Sequence, residues 1–502
     1  MDVNFQEQMI NYLNEVSFDP VYQEEVSELT VPESMPPVGQ VTDCSGCLCV
    51  QSKDVGSGAV SVTGELKVCV LYRAEDDGTL HKLETQIGFT VKKEIPELEA
   101  EHFVLYRGWI KQIDAKLLGD RRLLLRANIG SRFTAYLPES VTVRVPQDAP
   151  KTLQLLQNTY EMLLPVCCGE KEFRMNEEAV LPETVAGVSE ILKSSVNFRV
   201  DETKTVGDKA VFKGSALIHI LYASAAGTLH GYDAELPFSQ YVDMSKETED
   251  GEVRIGLQML SCEIETDGQE DSKRLLIGCS ILAQAVVSTK QQMVLYEDAY
   301  VTRGTLQAQW QEIGVRAKLD SQSIAVSGEL TAQAESERVI DATVYADQPI
   351  LRRDGGTVRV IMPVFANVIY ADKEGRVQSR QTKGELACDS QLAQSAVCAA
   401  EGTVFEQPVC LASFDTVTLR MSAQFSIDSY MGTRLRTIRS AVTEQTEKKD
   451  GSRPSLIARR AGRESVWEIA KSCGSTVTAI CEANGLMSES VQEGAILLIP
   501  MQ

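Results

Sequence analysis

Gly64-Glu65-Leu66-Lys67-Val68-Cys69-Val70-Leu71-Tyr72 returns as Gly214-Ser215-Ala216-Leu217-Ile218-His219-Ile220-Leu221-Tyr222, and each is followed by Gly-Thr-Leu-His, at Gly78 to His81 and Gly227 to His230. The offset is about 150 residues. Upstream, Val31-Pro32-Glu33-Ser34 and Leu181-Pro182-Glu183-Thr184 keep the same offset, and a third copy reads Val368-Ile369-Tyr370 with Gly375 at the turn. Several matches in one register predict duplicated domains.

Within each copy two segments alternate strictly, the pattern of strands with one buried face. Val358, Val360, Met362, Val364, Ala366, Val368 and Tyr370 share one parity in the third copy. The second segment runs from Leu123 to Ala135 in copy one, Leu275 to Val287 in copy two and Val417 to Ile427 in copy three. Such runs are about twice the usual 5 to 6 residues and are expected to bend, with Gly64, Gly214 and Pro363 placed for bulges. Acidic turn-rich stretches, Glu75-Asp76-Asp77-Gly78 and Thr266 to Asp271, separate the strands as in a meander or sandwich. The expected fold is mainly β: three tandem antiparallel modules over residues 31–145, 165–297 and 305–440. Residues 1–30 read differently, because Phe5, Met9 and Leu13 recur at helical spacing, so a helical, polar segment packed on the first module is expected there.

The period changes after a polar linker over 441–454, centred on Glu447 to Arg453. Ser465-Val466-Trp467-Glu468 reads as a capping box that opens a helix with Trp467, Ile469, Ala470 and Cys473 on its apolar face and Gly474 at its end. A second short helix, Thr476 to Ala483, stops at Asn484-Gly485, and Ala495 to Pro500 closes residues 455–502 as a strand.

These C-terminal residues, with Gly494 and Leu497-Leu498-Ile499-Pro500, resemble a LysM domain of βααβ fold. Its opening turn reads Arg463-Glu464 where the family has Gly-Asp, and Gly485 stands where a Pro usually follows the Asn. The upstream copies resemble the SPOCS domains of endospore-forming Firmicutes. Three such domains followed by LysM resemble a family of spore-coat morphogenetic proteins. The resemblance implies a protein at the forespore surface in the mother-cell cytoplasm, its LysM domain engaging the coat-basement ATPase and its modules other coat proteins. The implied groove would place Glu464, Ser465, Trp467, Asn484, Gly485 and Leu486 at or beneath the contact surface. A glycan of N-acetylglucosamine is the other partner class that LysM implies, and Trp467 also fits the domain's own core.

Charge narrows the partners. With 49 basic and 71 acidic residues the net charge is -22, which repels nucleic-acid phosphate. The N-terminus, Met1 to Glu7, has no basic n-region or apolar h-region, and no run approaches 18 apolar residues, so neither export nor a transmembrane segment is expected. Thirteen scattered cysteines fit reduced thiols.

No phosphate-binding Gly-x-x-x-x-Gly-Lys-Ser/Thr loop, Gly-x-Gly-x-x-Gly turn, His-Glu-x-x-His pair or Gly-x-Ser-x-Gly elbow is present, so no enzyme and no cofactor are expected. His81 and His230 hold matching turn positions and read as parts of the repeat. Cys44, Cys47 and Cys49 invite a zinc reading, but no fourth ligand is evident and copy two has Ser194, Asn197 and Arg199 there, so no metal is expected. Trp109 and Trp310 lack aromatic neighbours in sequence and read as packing residues.

Overall fold

A computed structural model describes residues 2–76, 78–269, 271–315, 317–354, 357–390, 397–404, 406–431, 434–444, 454–486 and 491–501. The first copy contains β1 (Phe5–Ser17), β2 (Val21–Thr30), β3 (Val38–Gly56), β4 (Ala59–Ala74), β5 (Leu80–Glu94), β6 (Phe103–Gly119) and β7 (Arg122–Pro146). The second contains β8 (Leu153–Val180), β9 (Glu190–Val206), β10 (Lys209–Ala223), β11 (Leu229–Asp243), β12 (Glu252–Thr266) and β13 (Arg274–Val301). The third contains β14 (Thr305–Gly314), β15 (Ala317–Gln333), β16 (Arg338–Ala346), β17 (Ile350–Asp354), β18 (Thr357–Ala371), β19 (Val377–Ser390), β20 (Val397–Val404), β21 (Val409–Ala412), β22 (Thr416–Met431) and β23 (Arg434–Glu444). The tail is β24 (Leu456–Arg460), α1 (Val466–Cys473), α2 (Val477–Asn484) and β25 (Ile496–Pro500).

Each copy is a sandwich whose two alternating strands supply the facing halves of one core. In the first, Val62, Leu66 and Val70 of β4 meet Leu125, Ile129 and Phe133 of β7. In the second, Phe212 and Ile220 of β10 meet Ile277 and Ile281 of β13. In the third, Val360 and Val364 of β18 meet Leu419 and Phe425 of β22. The repeated histidines adopt the same pose: His81 stacks on Tyr72 at 5.6 Å between centroids and bonds Thr79, while His230 stacks on Tyr222 at 5.5 Å and bonds Thr228.

The expected bends occur at both glycines. Pairing slips opposite Gly64 and Gly214, and an aromatic ring covers each, so that a Cβ on Gly64 would lie 2.6 Å from Phe89 Cζ and one on Gly214 2.8 Å from Phe238 Cζ. At Pro363 there is a strand break instead of a bulge. Proline offers no N–H to the ladder, and the partner strand leaves β18 between β16 and β17, where Asp347 N donates to Pro363 O.

The helix expected near the N-terminus is a strand. Phe5, Met9 and Leu13 are four residues apart, an even spacing that fits one face of a strand as well as one face of a helix. Pairing with β7 from Phe5↔Pro146 to Ser17↔Thr134 satisfies the backbone, and it is Tyr12, of the other parity, that is buried. β2 continues along β7 from Val21↔Ser131 to Thr30↔Arg122, so residues 5–30 are part of the first sandwich sheet and its extension. Strands also run beyond the expected module limits: β8 begins at Leu153, β13 ends at Val301 and β23 at Glu444. Of the expected linker, 445–453 lies outside the described residues and 441–444 belongs to β23.

Those extensions form three two-stranded ribbons, β1 with the end of β7, the start of β8 with the end of β13, and β14 with β23. They share cores of their own, in which Tyr12, Val143, Leu164, Leu295, Ile313 and Leu435 meet. A second such cluster joins Val3, Leu153, Tyr296 and Ile438. Asp2 bridges Val442, and Val3 N donates to Ala441 O at 3.0 Å, which joins the start of the chain to the end of the third copy.

The copies surround an approximate threefold axis. Leu71, Leu221 and Ile369, the same position of the repeated motif, lie in one cluster. Opposite them, each copy has a register shift that presents Asp43, Lys193 and Asp341. These three side chains meet: Lys193 Nζ is 3.3 Å from Asp43 Oδ2 and ion-paired with Asp341. Two residues before Leu71, Leu221 and Ile369 stand Cys69, His219 and Asn367, and each reaches the next copy. Cys69 Sγ donates to Leu192 O at 3.2 Å, His219 Nε2 lies 2.8 Å from Asp341 Oδ1, and Asn367 Nδ2 donates to Asp43 Oδ1 at 2.7 Å. Burial alone would push the Asp341 carboxyl up, but Lys193 and His219 outweigh it and hold it at about 2. Likewise Glu401 of β20, enclosed by Arg254, Arg107 and Arg132, is held at about 2 against its burial.

Trp109 is a packing residue with an aromatic neighbour distant in sequence: Tyr22 meets it edge-on at 6.1 Å, and its indole donates to Asp347 at 3.1 Å.

Candidate partner-binding site

The C-terminal domain forms because both helices are capped. Glu468 N donates to Ser465 Oγ at 3.2 Å while Ser465 N donates to Glu468 Oε2 at 2.8 Å, and Gly474 ends α1 at a φ of +66°. Thr476 caps α2 through Ala479 N at 3.1 Å, and Gly485 ends it at +63°. Val466, Ile469, Ile480, Leu497 and Ile499 bury a core between the helices and the β24–β25 pair.

The six residues singled out by sequence divide into two sets. Glu464 and Ser465 are exposed at the opening turn, where Glu464 accepts from Arg459 Nη2 at 2.6 Å. Gly485 is exposed at the turn after α2, and Leu486 is half-buried on the domain core. Asn484 is a brace: Nδ2 donates to Ile480 O and Leu498 O at 2.8 and 2.7 Å, and Oδ1 accepts from Leu498 N at 2.7 Å. Trp467 is 8% exposed and turned onto β13. Its indole donates to Asp298 at 2.8 Å and its ring meets Tyr300 edge-on at 4.9 Å.

This contact fixes the domain to the repeats. Lys471 Nζ bonds both oxygens of Asp298, at 2.8 and 2.7 Å, and Tyr300 Oη donates to Ser475 O at 2.8 Å. Partial burial raises the Asp298 carboxyl, but Lys471 and the Trp467 indole lower it further, and the net shift is downward. Sequence reasoning missed Asp298 and Tyr300, which lie in an ordinary alternating strand.

A second surface was also missed. Leu456, Ile496 and Leu498 lie on the outer face of the β24–β25 pair and are 48%, 74% and 41% exposed. The signal was present in Ile496-Leu497-Leu498-Ile499, whose alternate members are buried and exposed.

The family model described as SipL, SPOCS domain matches residues 37–118 and 187–265, and the LysM domain model matches 463–500. The chain thus carries SPOCS-domain matches in its first two copies and a LysM domain at 463–500. No curated protein and no solved structure matches it. The two SPOCS matches fall on the first and second copies of the repeat, and the third copy is tied to them by the shared axis. SPOCS and LysM are binding domains rather than catalytic ones. Among the described residues, no three His, Cys, Asp or Glu side chains converge as a metal site needs, and no helix is long and apolar enough to cross a membrane.

Proposed function

We propose that this protein is a non-catalytic scaffold of spore coat assembly, which holds a protein partner, the coat-basement ATPase, through its LysM domain. In this reading the modules over 31–145, 165–297 and 305–440 form the rigid body, and the protein works in the mother-cell cytoplasm at the forespore surface, where the modules meet other coat proteins.

The observation that carries the reading is the commitment of Trp467. It is the one aromatic residue between 454 and 502, and both its ring and its N–H are engaged by Tyr300 and Asp298. That leaves no aromatic face of the domain to stack on a sugar. The exposed set is instead Glu464, Ser465, Gly485 and the aliphatic Leu456, Ile496 and Leu498, a composition suited to an apolar protein contact with a polar rim.

The test is retention of the full chain on immobilised coat ATPase and, separately, on peptidoglycan. Retention on the ATPase that drops on Ile496→Glu or Leu498→Glu is expected. Retention on peptidoglycan alone would establish the second reading, a glycan-binding LysM protein, and end the first.

A further inference from the structure

Four of the thirteen cysteines come together where the first and second modules meet. Cys262 of β12 and Cys279 of β13 are directly opposite in the ladder, with sulfurs 3.5 Å apart. Cys47 and Cys49 of β3 lie against them, their own sulfurs 4.0 Å apart, and Cys49 is buried in the core of the second module. Lys67 of β4 donates to Cys262 O at 3.2 Å, which places a cation beside the sulfurs.

The two pairs differ in what they can become. Directly opposite residues of an antiparallel ladder have Cα atoms about 4.5–5.5 Å apart, inside the range of about 4.4–6.8 Å that a disulfide spans. Residues i and i+2 of one strand are about 6.6 Å apart with parallel Cα–Cβ bonds, so joining Cys47 to Cys49 would have to bend β3. We infer that Cys262 and Cys279 form an oxidation site that a peroxide converts to a cross-strand disulfide.

The chemistry follows from the shared proton. The hydrogen bond between the two sulfurs, together with burial, holds the Cys262 thiol up, with Lys67 pulling the other way, and the same hydrogen bond holds Cys279 down. Cys279 is the more readily ionised of the two and supplies the attacking sulfur, and Cys262, half-buried, is the side from which hydrogen peroxide arrives. The Cys279 sulfur attacks one peroxide oxygen, the O–O bond breaks, and the departing hydroxide takes up the proton lost when Cys279 ionised. The Cys262 sulfur then attacks the Cys279 sulfur of the resulting sulfenic acid, the S–S bond forms as the S–OH bond breaks, and the Cys262 proton leaves with the hydroxyl group as water. Two thiols are oxidised and one peroxide is reduced to two waters.

The test uses the full reduced chain treated with hydrogen peroxide, then alkylated and digested with trypsin. Cleavage at Lys273 and Arg274 separates the two cysteines, leaving each as the only cysteine of its peptide. The expected result is early loss of two of the thirteen thiols, with the peptide of Cys262 linked to that of Cys279. Cys262→Ser and Cys279→Ala should each abolish that fast loss. A first disulfide through Cys47, Cys49 or any other cysteine would overturn the inference, as would fast loss that persists in either variant or no disulfide at all.

Discussion

Asp43 and Lys193 occupy the same register position of successive copies, opposite Leu71 and Leu221, and their side chains meet at 3.3 Å in the interior. A repeat that merely duplicated a fold would bring like to like at this point. Here one copy supplies the cation and two supply the carboxylates, because Asp341 completes the set. The asymmetry lets three copies of one module close around an axis with the charge distributed among them.

Removing the cation should therefore be costly. Lys193→Met leaves Asp43 without its cation and Asp341 with His219 alone, and breaking a buried pair in this way costs about 3–5 kcal/mol. Urea denaturation of the full chain measures it. A loss below about 1 kcal/mol would mean that water reaches the axis and replaces the lysine.

The same cluster sets a pH profile. Asp341, held at about 2, stabilises the fold above its unfolded value of about 3.9, and that contribution disappears as pH falls toward 2. His219 loses by burial but gains more from its bonds to Asp233 and Asp341, and is raised to about 9. Its contribution is complete below about 6.5 and is lost as pH rises through 9. His219→Asn, the residue that the third copy carries at Asn367, should remove the alkaline decline while leaving the acid one. Urea midpoints that stay constant from pH 6.5 to 9 in the unmodified protein would refute this.

Gly64→Ala tests the bend. The added methyl would run into Cys49 O and overlap the Phe89 ring, and overpacking of this kind costs about 1–3 kcal/mol. Gly88→Ala, whose Cβ meets nothing within 4 Å, is the control and should be nearly silent in thermal unfolding. Equal effects would show that backbone entropy, not the ring, accounts for the glycine.

Asp298→Ala should loosen the LysM domain from the repeats. The substitution removes the acceptor of the buried Trp467 indole and of the partly exposed Lys471, a loss of about 1–2 kcal/mol. Trp467 emission should shift to longer wavelength and amide exchange in α1 should quicken. Unchanged exchange in α1 would assign the docking to Tyr300, through its ring on Trp467 and its hydroxyl on Ser475 O.

Much of this fold was legible because buried strands leave a period-two record. The alternation read in β7, β13, β18 and β22 is that which faces the cores. The N-terminal strand was misread because residues four apart satisfy both periods, and only its partner β7, more than a hundred residues away, decides between them. The axis was illegible for a different reason. A lone charge in an alternating strand ordinarily marks the solvent face, and nothing local to Lys193 reveals that two carboxylates from other copies await it. In the LysM domain, cap and turn residues could be read because they act within a few positions. Asp298 and Tyr300 could not, since their partners follow about 170 residues later.

The bridge from Asp2 to Val442 means that the last strand of the third copy closes back onto the start of the first. β1 can pair with β7 as soon as the first copy is made, but Asp2 and Val3 meet their neighbours only when β23 has been synthesised. Until the third copy arrives, the cluster that Leu71 and Leu221 share with Ile369 stays open on one side.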